Sequence, residues 1–176
     1  MPATLRSETA GLVRLAETDL RAIWRILERG EGDPQTVLND LLPGLITEYG
    51  SMGAAVAADW YDEQREREGA RGRFVAEPLE ASDRDAYALV GFAVATATSD
   101  DALRGLILGG VQNRVADHVR LTVTGASVAD PAAKGWTRVG SGSTCDWCAN
   151  LIGEVFVTDI EFPSHDHCGC GPSPFF

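Results

Sequence analysis

All four cysteines and two of the three histidines of this 176-residue chain lie between Cys145 and Cys170. The order is Cys145-x2-Cys148, then 16 residues, then His165-x-His167-Cys168-x-Cys170. A C-x2-C step turns two sulfurs to one side of a tight knuckle, at the separation a tetrahedral zinc ion requires. A returning hairpin would deliver the remaining ligands. The spacing therefore predicts a structural zinc held by Cys145, Cys148, His165 and Cys168, with Cys170 and His167 as substitutes. Free buried thiols, late-forming disulfides and a catalytic cysteine or catalytic zinc are the competing readings of the cluster. A tail with so few core residues of its own has much to gain from metal, which contributes on the order of 10 kcal/mol in isolated zinc-finger peptides.

Hydrolytic chemistry is harder to assemble. A zinc protease needs a pattern such as H-E-x-x-H with an open coordination position, and the chain has none. Ser141 or Ser143 with His165 and Asp166 or Asp159 makes a serine triad on paper. Serines in a Gly140-Ser-Gly-Ser stretch, however, read as a turn. A histidine that binds zinc cannot also act as a general base. The remaining histidine, His118, falls near the middle of a helix and reads as a partly exposed surface residue.

The elements that must position these groups fall into two regimes. Up to about Ser127 the apolar residues repeat with helical period. Ser7 is a candidate cap for a helix bearing Leu12, Leu15, Leu20, Ile23, Trp24 and Leu27 and ending at Gly30. Asp33-Pro34 restarts a helix, Pro43 is expected to kink or break it, and a longer helix fades into Gln64–Glu68. Gly69–Pro78 reads as an arm or loop. Ser82 followed by Asp85 resembles a capping box for a helix reaching about Thr98. Ser99 caps another that carries Leu103, Leu106, Ile107, Val111, Val115 and Val119 on one stripe. After Asp130-Pro131 the period vanishes, with short strands predicted at Lys134–Val139 and Glu154–Val157. The fold class is mainly α, in two parts. Residues 1–130 form a helical domain, and residues 131–176 form a small irregular α+β module with a zinc-knuckle-like Cys/His cluster.

Composition narrows the function. The net charge is −11, and residues 131–176 hold only 2 basic against 5 acidic side chains. Binding to a phosphate backbone needs a cationic footprint, so nucleic-acid binding is excluded as the main role. The cluster Arg65, Arg67, Arg71 and Arg73 is diluted by Glu63, Glu66 and Glu68 and reads as a solvated helix end. The start Met1-Pro2-Ala3-Thr4 has no basic n-region or apolar h-region, and the longest apolar run, Ala86–Thr98, is too short and polar to span a bilayer. Synthesis and folding in a cytoplasm, with reduced thiols, is the expectation.

Two strings carry a family resemblance. Gly135-Trp-Thr-Arg-Val-Gly-Ser-Gly-Ser-Thr-Cys-Asp-Trp-Cys, closing with Ser164-His-Asp-His-Cys-Gly-Cys-Gly-Pro-Ser-Pro-Phe, resembles the C-terminal signature of actinobacteriophage MuF-like minor capsid proteins. Tyr49-Gly50 through Ala57-Ala-Asp-Trp-Tyr-Asp-Glu-Gln-Arg is similar to their helical half. The family motif, Cys-x2-Cys followed by His-x-x-Cys-x-Cys, falls on Cys145, Cys148, His165, Cys168 and Cys170. The resemblance implies a head-morphogenesis component of the procapsid or virion head, made in the host cytoplasm beside the portal and major capsid proteins. Relatives are frequently described as capsid maturation proteases, so proteolysis is the alternative function. The expected partners are portal or major capsid protein, with self-association open. Phe162, Phe175 and Phe176 are candidate anchors, or aromatics that fold back onto the knuckle.

Overall fold

The computed structural model describes residues 3–80, 82, 84–142, 144–158, 162 and 169–176. Among the described residues the elements run α1 (Ala3–Glu28), α2 (Pro34–Arg67), α3 (Arg84–Thr96), α4 (Asp100–Ala129), β1 (Gly135–Val139), α5 (Asp146–Ala149), β2 (Val155–Phe156) and β3 (Gly171–Phe175). The protein is mainly helical, with a small antiparallel sheet at its C-terminal end ordered β2-β1-β3. No described helix is long and apolar enough to cross a membrane.

Local chemistry sets most helix ends. The Asp33 carboxylate accepts from Thr36 N at 3.1 Å and Pro34 opens α2, so the missing proline N–H falls where no partner is needed. The Ser99 hydroxyl accepts from Ala102 N at 3.2 Å at the start of α4. Two expectations are corrected. Helix α1 begins at Ala3, not at Ser7, because Leu5 is fully buried in the core beside Ala57 and Trp60. Helix α2 runs through Pro43 without ending. An internal proline costs a helix about 3 kcal/mol, but Leu38, Leu42, Leu45 and Ile46 are all buried around it. Each such side chain contributes about 1.5–3 kcal/mol, so packing outweighs the lost bond.

The bundle holds two continuous bands of core. One joins Leu20, Ile23 and Trp24 of α1, Leu38, Leu42 and Ile46 of α2, Leu89 and Val90 of α3, and Ile107, Val111 and Val115 of α4. The other gathers Leu5, Trp60, Tyr61, Val119 and Val123, with Phe74 and Phe176 against it. The long helices approach closely at glycines. A Cβ on Gly53 would stand 2.9 Å from the Val119 side chain, and one on Gly50 would stand 2.7 Å from the His118 ring. His118 is thus half-buried against α2, with Nδ1 2.8 Å from the Arg114 carbonyl.

Where α4 ends, a buried carboxylate gathers three parts of the chain. Asp130 has a fully buried side chain and receives Arg65 Nε at 2.8 Å, the Tyr61 hydroxyl at 3.3 Å and, on its other oxygen, Ala132 N at 2.9 Å. Arg65 also donates to the carbonyls of Ala70 and Arg71, pinning the arm after α2. Arg65 is therefore a core cation, not part of a solvated helix end. The expected arm is irregular but tied down, with Ala76 N donating to Asp62 at 3.0 Å and Leu79 N to Thr122 at 3.1 Å.

Asp130→Ala should destabilise the protein by about 3–5 kcal/mol, because it leaves the Arg65 guanidinium buried and uncompensated; urea unfolding followed by circular dichroism checks this. A pH effect follows from Tyr49, which donates to Asp19 at 2.5 Å. That bond, then burial, then the Asp19 and Glu48 charges push its phenol up from 10.0 to about 12. The folded-state value lies above the unfolded one, so this stabilisation is complete below pH 10 and is lost as the pH rises to about 12. Between those values wild-type stability should fall more steeply than that of Tyr49→Phe, as read from denaturation midpoints.

Candidate metal centre

Strand β1 is the frame on which the cysteines are set. Its alternation buries Trp136 and Arg138, two apart and so on one face of the sheet. Strand β2 pairs antiparallel through Trp136–Phe156 and Thr137–Val155, and β3 pairs on the other side from Gly135–Phe175 to Val139–Gly171. Strand β3 is not among the strands predicted from the sequence, and it holds Pro172 and Pro174, residues that rarely enter a sheet. They are tolerated because β3 is an edge. Residues two apart point their N–H groups to the same side, so the ladder to β1 is left to Gly171, Ser173 and Phe175. Gly135 is required by geometry: its φ is +133°, and a Cβ there would stand 2.2 Å from the Phe156 carbonyl oxygen.

The Cys145–Cys148 segment is a tight turn. Cys145 caps α5, its sulfur accepting from Cys148 N at 3.4 Å. This turn directs the Cys148 side chain inward, where it is fully buried, while Cys145 is half-buried. At the far end of the motif Cys170, 1% exposed, brings its sulfur to 3.4 Å from that of Cys148. Arg138 reaches the same pair: its Nη1 donates to Cys170 Sγ at 3.0 Å and approaches Cys148 Sγ at 3.6 Å.

Aromatic rings enclose the site and dock it on the bundle. Phe162 is buried, with the Arg138 guanidinium carbon 3.8 Å and that of Arg120 5.6 Å from its ring centre. Arg120, on α4, is held by Asp117 at 2.7 Å and Asn113 at 3.2 Å. Trp136 stacks on Phe156 with ring centres 4.4 Å apart and donates its indole N–H to the Thr158 carbonyl. The terminal aromatics divide. Phe176 folds back onto Tyr61, while Phe175 is 41% exposed and lies beside Lys134.

Tetrahedral zinc with sulfur at about 2.3 Å sets its sulfurs about 3.8 Å apart, close to the 3.4 Å between Cys148 and Cys170. Among the described residues, no three His, Cys, Asp or Glu side chains converge as a metal-binding group. The predicted ligands His165 and Cys168, the substitute His167, and Ser143, Asp159 and Asp166 lie outside the described residues. Ser141 is in a turn closed with Thr144, whose hydroxyl accepts from Ser141 N and whose N–H donates to the Ser141 carbonyl. Arg138 is the residue that sequence reasoning missed. The available signal was a cation two places after an inward-facing tryptophan on a predicted strand.

A helical bundle carrying a small antiparallel sheet, with cysteines on the segments that flank its strands, is the class of protein that this geometry defines. The chain belongs to the VG15 protein family, a viral family whose model matches residues 2–176. No curated protein and no solved structure matches it.

Gly135→Ala should cost at least about 2 kcal/mol, since it combines a left-handed backbone with a backbone clash. The loss should appear first in the module, as an exposed Trp136 with red-shifted fluorescence.

Proposed function

We propose that the protein is a MuF-like minor capsid component acting in phage head morphogenesis. It works in the procapsid or virion head by binding portal or major capsid protein, with a structural zinc fixing its C-terminal module. The observation that carries this reading is the meeting of Cys148 and Cys170. They belong to opposite halves of the MuF-like motif, 22 residues apart in the chain, yet their buried sulfurs are 3.4 Å apart. Membership of a viral family over nearly the whole chain supports the phage context. The role is assembly: the bundle packs on a partner while the module presents a small rigid surface. Trp147, Ile152, Val155, Val157 and Phe175 are large apolar side chains left exposed there, and they suit a protein partner. The net charge of −11 does not suit packaged DNA.

Zinc would be held by Cys148 with Cys145 or Cys170, completed from His165, His167 and Cys168. It would supply cross-linking of the module, not catalysis. The buried sulfur pair favours a larger part for Cys170 than its place as a substitute gave it.

Protein purified without chelator should contain one zinc per chain by elemental analysis, and should co-purify with portal or major capsid protein after nuclease treatment. Cys145→Ser with Cys148→Ser should reduce incorporation into heads, whereas Ser141→Ala with Ser143→Ala should leave heads normal. A folded, incorporated serine double variant that accumulates uncleaved capsid precursor would overturn this reading in favour of the maturation protease.

A further inference from the structure

We infer that Arg138 is the positioning residue of the metal centre, its guanidinium bracing the Cys148 and Cys170 sulfurs as a ligand pair and balancing their charge. This rests on the zinc reading above and adds to it a role for a residue that the cysteine motif does not contain.

Three observations converge on this role. The first is contact: one guanidinium nitrogen, Nη1, lies 3.0 Å from Cys170 Sγ and 3.6 Å from Cys148 Sγ, which are themselves 3.4 Å apart. A single donor thus spans the pair. The second is burial. Arg138 is 1% exposed, Cys148 0% and Cys170 1%, so the charge sits where water cannot screen it. The third is that the guanidinium is held from its face as well as its edge. Its carbon stands 3.8 Å from the Phe162 ring centre and 5.6 Å from that of Trp147. The backbone is anchored too, by the β1–β3 pairing of Arg138 with Pro172 and by Gly153 N donating to the Arg138 carbonyl at 3.2 Å.

The chemistry explains why an arginine is suited to this place. Each cysteine that binds zinc gives up its proton, so a centre in which Cys148, Cys170 and a third cysteine are ligands is a net anion. Burying an anion is costly unless a cation with hydrogen-bond donors lies against it. Arginine stays charged, stacks flat on an aromatic ring and directs N–H groups outward from its edge. Lysine offers the charge without the planar fork. Groups beyond the ligands that orient and donate to them typically account for 10- to 100-fold in metal affinity.

The test compares the full-length wild-type chain with Arg138→Met, Arg138→Gln, Arg138→Lys and Cys170→Ser. Zinc affinity is read by competition with a chromogenic chelator. Cobalt(II) loading gives the sulfur-to-metal charge-transfer band, and circular dichroism reports whether the helices are intact. Arg138→Met should bind zinc about 10- to 100-fold more weakly and shift the band. Arg138→Gln should fall between it and wild type, and Arg138→Lys should recover part of the loss. Cys170→Ser should lose the share of the band owed to one sulfur. Wild-type affinity and an unshifted band in whichever neutral Arg138 variant folds would overturn the inference and leave the zinc reading standing. So would an undiminished band in Cys170→Ser. A wild-type chain that takes up neither zinc nor cobalt would overturn both.

Discussion

The structure turns on the buried Asp130 carboxylate. It lies where the longest run of helix packing ends and the sheet begins, and it has no exposure through which water could stabilise its charge. Arg65 from α2, Tyr61 from the same helix and the N–H of Ala132 share that task. Burial of Tyr61, and next the Asp130 charge, raise the tyrosine hydroxyl well above its ordinary range, so it stays a donor. Because Arg65 also holds Ala70 and Arg71, one carboxylate orders the end of α2, the start of the arm and the exit of the chain into β1. A buried pair of this kind adds little net stability over a well-packed apolar pair, but breaking it strands a charge. Its effect is to fix which way the chain leaves the bundle.

That exit direction decides what β1 can do. With its start fixed beside Asp130, the strand presents Trp136 and Arg138 inward, and both neighbouring strands take their register from it. Arg6 on α1 adds a further tie, donating to the Gly140 carbonyl at 3.1 Å. The ring of Phe162 lies against both a bundle arginine, Arg120, and the module's own arginine, Arg138. The cysteine site is therefore built against the bundle, not hung from it.

The sheet's two edges are unlike. On β3 the prolines leave no N–H groups to recruit another strand, which blunts that edge against pairing with other chains. On the β2 side Val155 and Val157 are exposed, near the exposed Ile152. Such an asymmetry leaves the β2 side as the edge open to backbone pairing.

The amino-acid sequence by itself determined the local features. Helical period, the Asp33 and Ser99 caps, the Cys145–Cys148 knuckle and the strand through Trp136 are properties of neighbouring residues, and all are legible without the fold. It misled wherever a distant contact outweighed a local preference. Pro43 stays inside a helix because buried leucines surround it, and Leu5 lengthens α1 because α2 and α4 give it a core to enter. Pro172 and Pro174 form a strand because that strand is an edge. Three facts were decided only in three dimensions: Arg65 is buried, Arg138 faces sulfur, and Cys170 meets Cys148. Each depends on two segments far apart in the chain being brought within a hydrogen bond's length, and no spacing within either segment carries that information.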